Sequence, residues 1–174
     1  LQPSTKIICM VKADAYGSGS EEVAKTLQYH KCDYLAVATA DEGVILRKAG
    51  IKTPIIVLNP EVGGFNELFE SYLEPEVYNF RILEAFIKEA QRRGISDYPI
   101  HIKLDTGMHR LGFTEEDLPK LIERLDSQGA LHVMSVFSHL AASESWAFDD
   151  FTEEQISLFK RLASTLQQGI DYPI

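Results

Sequence analysis

Cysteine is scarce in this sequence. Its 174 residues hold two, Cys9 and Cys32, each in or next to an apolar run. That usage favours buried, reduced thiols over a disulfide framework. Positive charge is also short: 17 lysines and arginines stand against 26 aspartates and glutamates, a formal net charge of −9. Such a balance disfavours nucleic acid or an anionic membrane surface as a partner. It does nothing to concentrate an anionic ligand either, so any phosphate site must be built locally. No stretch approaches the roughly 20 apolar residues of a membrane helix. No basic start precedes an apolar run, so no secretory leader is visible, and a cytoplasmic protein is expected. The histidines lack metal-ligand spacing, and no metal is expected. Linkers, repeats and low-complexity tracts are missing as well. What is present is ordinary globular composition, 45% hydrophobic and 25% charged, enough for one domain with a sizeable core. Leu1-Gln2-Pro3 leads almost at once into a core strand, as in a piece cut from a longer chain.

Ile7 to Val11 is a continuous apolar run too short for a helix. It reads as a strand buried on both faces, with Lys12 at its C-terminal end. Glycines and serines over 17–20 end it. Ser20 then caps a helix to about Tyr29, with Glu21 and Glu22 in its first turn. Tyr34–Ala38 and Ile55–Leu58 read as buried strands. Thr39 or Asp41 opens the helix between them, and Gly50 closes it. A short helix over 64–71 leads to the weakest strand, 73–78, which Pro75 interrupts. Asn79 starts a long amphipathic helix that Gly94 stops. Ile100–Leu104 is the fifth strand, and Thr114 with Asp117 starts the helix to Gln128. His132–Ser138 is the sixth strand. Thr152 with Gln155 starts a final helix that Gly169 ends.

Six strand–helix units in succession predict a parallel sheet with right-handed crossovers. Gly17-Ser18-Gly19 lacks the third glycine of a dinucleotide fingerprint, which argues against a doubly wound sheet. The fold class expected is therefore α/β, a (β/α)8 TIM-type barrel that is incomplete here. A whole one needs eight units and about 250 residues. The first and sixth strands should then keep open edges.

The chemistry-bearing residues fall at predicted strand ends, where α/β barrels carry their sites. An amine at the rim of an apolar core loses hydration that favours its charged form. Lys12 there can attack a carbonyl and form a Schiff base, or it can simply end a strand in solvent. Lys103, Asp105 and Arg110 in Ile100–Phe113 are an even choice between a site and a solvated rim. His139 after strand six is, taken alone, more often structural than chemical. Tyr16 can be a wedge in a turn, and Leu58 can line any barrel.

Three motifs together change that balance. Val11-Lys12-Ala13-Asp14-Ala15-Tyr16-Gly17 resembles the pyridoxal-phosphate lysine motif of alanine racemases, although Ser18 stands where the family commonly has histidine. Lys103-Leu104-Asp105-Thr106-Gly107-Met108 through Arg110-Leu111-Gly112 resembles that family's K-x-D-T-G-M…R-L-G segment. Val136-Phe137-Ser138-His139 resembles its strand carrying a histidine beneath the cofactor ring. The resemblance covers essentially the whole chain, residues 1–174, as an N-terminal barrel portion whose C-terminal β-domain is absent.

It implies pyridoxal 5′-phosphate as cofactor, held on Lys12, with Tyr16 at its phosphate, Leu58 near the ring, Arg110 at its phenolic oxygen and His139 under it. It also implies that Lys103 lies behind Arg110 and in some members is carbamylated. The activity implied is interconversion of L- and D-alanine for peptidoglycan synthesis, in a homodimer when full length. The portion alone is expected to bind the cofactor weakly or not at all, to be inactive, and to self-associate through its strand edges. The alternatives weighed beside this are another fold-type III pyridoxal protein (a decarboxylase or a cofactor-handling protein), a Schiff-base aldolase, and a non-catalytic module of a larger polypeptide.

Overall fold

The computed structural model describes residue 2 and residues 4–174. The chain divides into two compact units, one running to Glu76 and one from Val77 to Ile174.

In the first unit, β1 (Ile8–Met10), β2 (Tyr34–Val37), β3 (Ile55–Val57) and β4 (Glu74–Val77) pair in chain order and in parallel. The crossovers are a left-handed turn α1 (Lys12–Gly17) with α2 (Ser20–Tyr29), then α3 (Ala40–Lys48), then α4 (Phe65–Glu70). β2 and β3 are apolar on both faces because both are covered, and Leu35, Val37, Ile55 and Val57 are wholly buried. The Arg47 guanidinium of α3 ties the layers by donating to the carbonyls of Ile51, Thr53, Ser71 and Tyr72. Pro75 does not break β4, since it sits in register opposite Val57.

Three expectations fail here. β1 is not buried on both faces. Ile8 and Met10, which share one face, are 47% and 36% exposed, and β1 pairs only with β2 among the described residues. Ser20 does not cap α2 with its side chain; instead its amide donates to Asp14 Oδ1. Cys9 and Cys32 are free thiols and half-buried, because exposed β1 covers neither fully.

In the second unit, α5 (Phe80–Arg92) buries Ile82, Leu83, Phe86, Ile87 and Ala90, one helical stripe. Each large member contributes about 1.5–3 kcal/mol. The side chain of Asn79 caps α5 by accepting from the Ile82 amide at 2.9 Å. β5 (Tyr98–Lys103) and β6 (Leu131–Phe137) pair in parallel, with a bulge that leaves Met134 without a partner in the register. Between them runs α6 (Leu118–Asp126), preceded by the expected Thr114–Asp117 capping box. The last helix, α7 (Asp149–Gln168), begins three residues before Thr152, so Thr152 and Gln155 are interior positions and not its start. The reason is burial: Gln155 is 1% exposed and its amide is used elsewhere. No helix among the described residues is long and apolar enough to cross a membrane.

Candidate active site

In the first unit, Val11 stands just past β1, its side chain buried and its amide donating to the Ala36 carbonyl at 2.9 Å. Lys12 follows, half-buried. The backbone then turns left-handed for four consecutive residues, Ala13 to Tyr16, all with φ between 51° and 55°. For residues with a Cβ this costs about 1–2 kcal/mol each, so the turn persists only because its surroundings hold it. The Ala15 amide reaches the Val11 carbonyl at 3.0 Å, and the Gly19 amide reaches that of Asp14 at 3.0 Å. Asp14 Oδ1 accepts from Ser20 at 2.7 Å. The turn buries Ala15 and throws Tyr16 outward, 67% exposed, with its phenol available to a ligand. Leu58 lies just past β3, half-buried, its amide bonded to Val37. This unit therefore groups Lys12, Tyr16 and Leu58 at the carboxyl ends of neighbouring strands β1 to β3.

In the second unit, Lys103 closes β5 and is 8% exposed, with Nζ 5.5 Å above the Phe137 ring. The chain beyond it is a closed loop. Asp105 donates to the Phe113 carbonyl and Phe113 to that of Lys103, both at 2.9 Å. Asp105 Oδ1 accepts from the Gly107 and His109 amides at 3.0 Å each, and Oδ2 meets His109 Nδ1 at 3.2 Å. Burial pushes this carboxyl up, but the bonds from Gly107 and His109 outweigh it, and the net shift is downward. Arg110 sits on this rigid loop, exposed, and its guanidinium makes no hydrogen bond or ion pair among the described residues. His139 follows β6 and is exposed. Its carbonyl accepts from Gln155 Nε2 at 3.2 Å, while Gln155 Oε1 accepts from the Ala141 amide at 2.9 Å. Ser138 Oγ donates to Leu104 at 2.8 Å and meets Thr106 Oγ1 at 2.7 Å. Arg110 and His139 thus stand on loops that Thr106, Ser138 and Gln155 tie together.

The family model of the alanine racemase N-terminal domain matches residues 1–174. The chain belongs to the alanine racemase family. A curated alanine racemase of Thermodesulfovibrio yellowstonii is 42% identical over 166 residues, 94% of this chain and 43% of that protein. The solved alanine racemase of Clostridium difficile 630 in complex with cycloserine has a TM-score of 0.90 at 33% identity, over 97% of this chain and 46% of that one. The alanine racemase of Bartonella henselae with covalently bound pyridoxal phosphate has a TM-score of 0.83 at 26% identity, over 94% and 47%. The α/β fold is that of the alanine racemase N-terminal barrel, and the chain spans less than half the length of these relatives.

The sequence reading missed the part that two polar residues of this racemase-family chain play. Glu42 lies three residues after Thr39, and that spacing is the capping-box signal, present but read only for its first member. Gln155 shares the buried side of α7 with Leu162 and Leu166. A polar residue in register with an apolar stripe signals a buried hydrogen-bonding role.

Proposed function

We propose that residues 1–174 are the N-terminal, pyridoxal-phosphate-binding barrel portion of a cytoplasmic alanine racemase, which interconverts L- and D-alanine for peptidoglycan synthesis. The observation that carries this reading is Lys12, a half-buried primary amine delivered to the end of β1 by a left-handed turn that also exposes the Tyr16 phenol. Each unit offers residue types that suit the cofactor: the first an amine for its aldehyde and a phenol for an anionic oxygen, the second an uncommitted guanidinium and the His139 imidazole. Pyridoxal phosphate, when bound, accepts the electron pair left as the substrate Cα–H bond breaks.

The chain's own residues bind and move protons. Lys12 Nζ would hold the cofactor and would carry the proton on one face of the substrate. Tyr16 Oη would donate to the phosphate. Arg110, held by the Asp105 loop, would donate to the phenolic oxygen, and Lys103, at the end of β5 that leads into this loop, is the candidate supporting group, which carbamylation would turn into an acceptor for a guanidinium. His139 would support the ring, and Leu58 would exclude water beside it. The opposite face needs a second proton carrier, a role given to none of these residues; the further proposals are that the portion alone has no turnover and that the full-length protein works as a homodimer. The edge strand β1, paired only with β2 among the described residues, gives the portion by itself an edge for self-association.

The test is borohydride reduction of the full-length protein with pyridoxal phosphate, followed by peptide mapping. The label belongs on Lys12; a label on Lys103, or none, overturns the reading. Lys12→Ala abolishes racemisation.

A further inference from the structure

We propose that Glu42 is the positioning residue for Lys12, fixing the backbone from which the amine projects. This rests on the reading of Lys12 as the cofactor lysine. Backbone pairing of β1 with β2 ends at Met10 opposite Ala36, with one last bond from the Val11 amide to the Ala36 carbonyl at 2.9 Å. Beyond it the two chains part, one into the left-handed turn and the other into α3. The Glu42 carboxylate stands in the opening. Its Oε1 accepts from the Ala13 amide at 2.7 Å, and its Oε2 accepts from Ala38 at 2.7 Å and from Thr39 at 3.4 Å.

Lys12 is therefore fixed on both sides. The amide before it is bonded to β2, and the amide after it is bonded to Glu42. A half-buried side chain thus continues the ladder where the backbone can no longer do so, directly at the point where φ turns positive. Bonds from amides to an ionised carboxylate are stronger than neutral ones, which suits a clamp on a strained turn. The choice of glutamate is chemical. A carboxylate is acceptor-only, so both oxygens can receive N–H groups at once. A glutamine of the same shape must turn its NH2 toward either Ala13 or Ala38, setting donor against donor.

The clamp predicts that Glu42→Gln behaves much like Glu42→Ala, and that Glu42→Asp, too short to span both chains, is intermediate. In the full-length protein, the rate of borohydride-trapped pyridoxyl labelling at Lys12 should fall on the order of tenfold in the Gln and Ala variants, as when a group that orients a site residue from behind is removed. Ile55→Val, a buried change in the same unit, provides a destabilised control that keeps the clamp. It should label at the parent rate. Lys12 labelling within twofold of the parent in all three Glu42 variants overturns the proposal, and so does an equal loss in Ile55→Val.

Should the Glu42 variants fail to fold, the parent alone decides through amide exchange. Ala13 is exposed yet must exchange slowly, in step with Ala38, and fast exchange at Ala13 overturns the clamp. If the parent itself takes label elsewhere than Lys12, the cofactor reading fails while the exchange result still judges the clamp.

Discussion

Gly112 lies against the backbone of Asp105 so closely that a Cβ at 112 would sit 2.5 Å from the Asp105 nitrogen and 2.6 Å from the Leu104 carbonyl carbon. Its φ of +130° is also one that residues with side chains rarely adopt. This contact lets the chain double back after Arg110 so that Phe113 can bond both Lys103 and Asp105.

Gly112→Ala should therefore cost about 3 kcal/mol or more, from backbone strain plus a clash that no side chain can relieve. Gly129→Ala, where nothing lies within 4 Å, should stay within about 0.5 kcal/mol. Thermal unfolding of the two variants checks the contrast. Equal melting temperatures would show that the loop adapts.

Asp105 predicts an acid-sensitive loop. Its folded value lies below the ordinary 3.8, because the bonds from the Gly107 and His109 amides and from the His109 ring outweigh the effect of burial. A depressed carboxyl contributes stability that is complete above the unfolded value and lost as pH falls through the folded one. Stability should thus begin to fall below 3.8. Asp105→Asn should remove that share of the acid dependence while lowering stability at neutral pH. Melts from about pH 6 to about pH 2 read both effects; an unchanged acid limb in the variant would refute the assignment.

Gln155 makes three hydrogen bonds at 1% exposure. Gln155→Leu removes the acceptor of the Ala141 amide and one donor to the His139 carbonyl, at about 1 kcal/mol for each hydrogen bond lost. Because those groups flank His139, the variant should also increase proteolysis after β6. Gln155→Glu keeps the acceptor for Ala141 but loses the donor and buries a charge, so its stability should recover at acid pH. A Leu variant as stable and as protease-resistant as the parent would sink this account.

The Cys32 thiol is pushed up from its ordinary 9.0, first by burial, then by the neighbouring Cys9 thiol, then by Asp33. Its alkylation by iodoacetamide should be slower at pH 8 than that of an unhindered thiol, since the thiolate reacts. Cys9→Ala removes one cause and should move the pH profile of Cys32 down. An unmoved profile would show that Cys9 has no part in the shift.

The order of elements was legible because each rests on a local signal. Apolar runs at Tyr34–Val37 and Ile55–Val57, the stripe of α5 and the Asn79 cap all lie within a few residues of chain. That Lys12 and His139 follow strands and Arg110 lies on the loop after β5 was legible for a similar reason: strand ends can be found from short patterns. Tertiary structure alone decided the rest. The exposure of Ile8 and Met10 depends on what covers a strand, and apolar composition cannot state that. The left-handed run from Ala13 to Tyr16 opposes the intrinsic preference of every residue in it and exists because distant groups hold it. Glu42 reaches Ala13 across 29 positions and Gln155 reaches Thr106 across 49, and hydrogen bonds between such separated partners leave no periodic trace in the sequence.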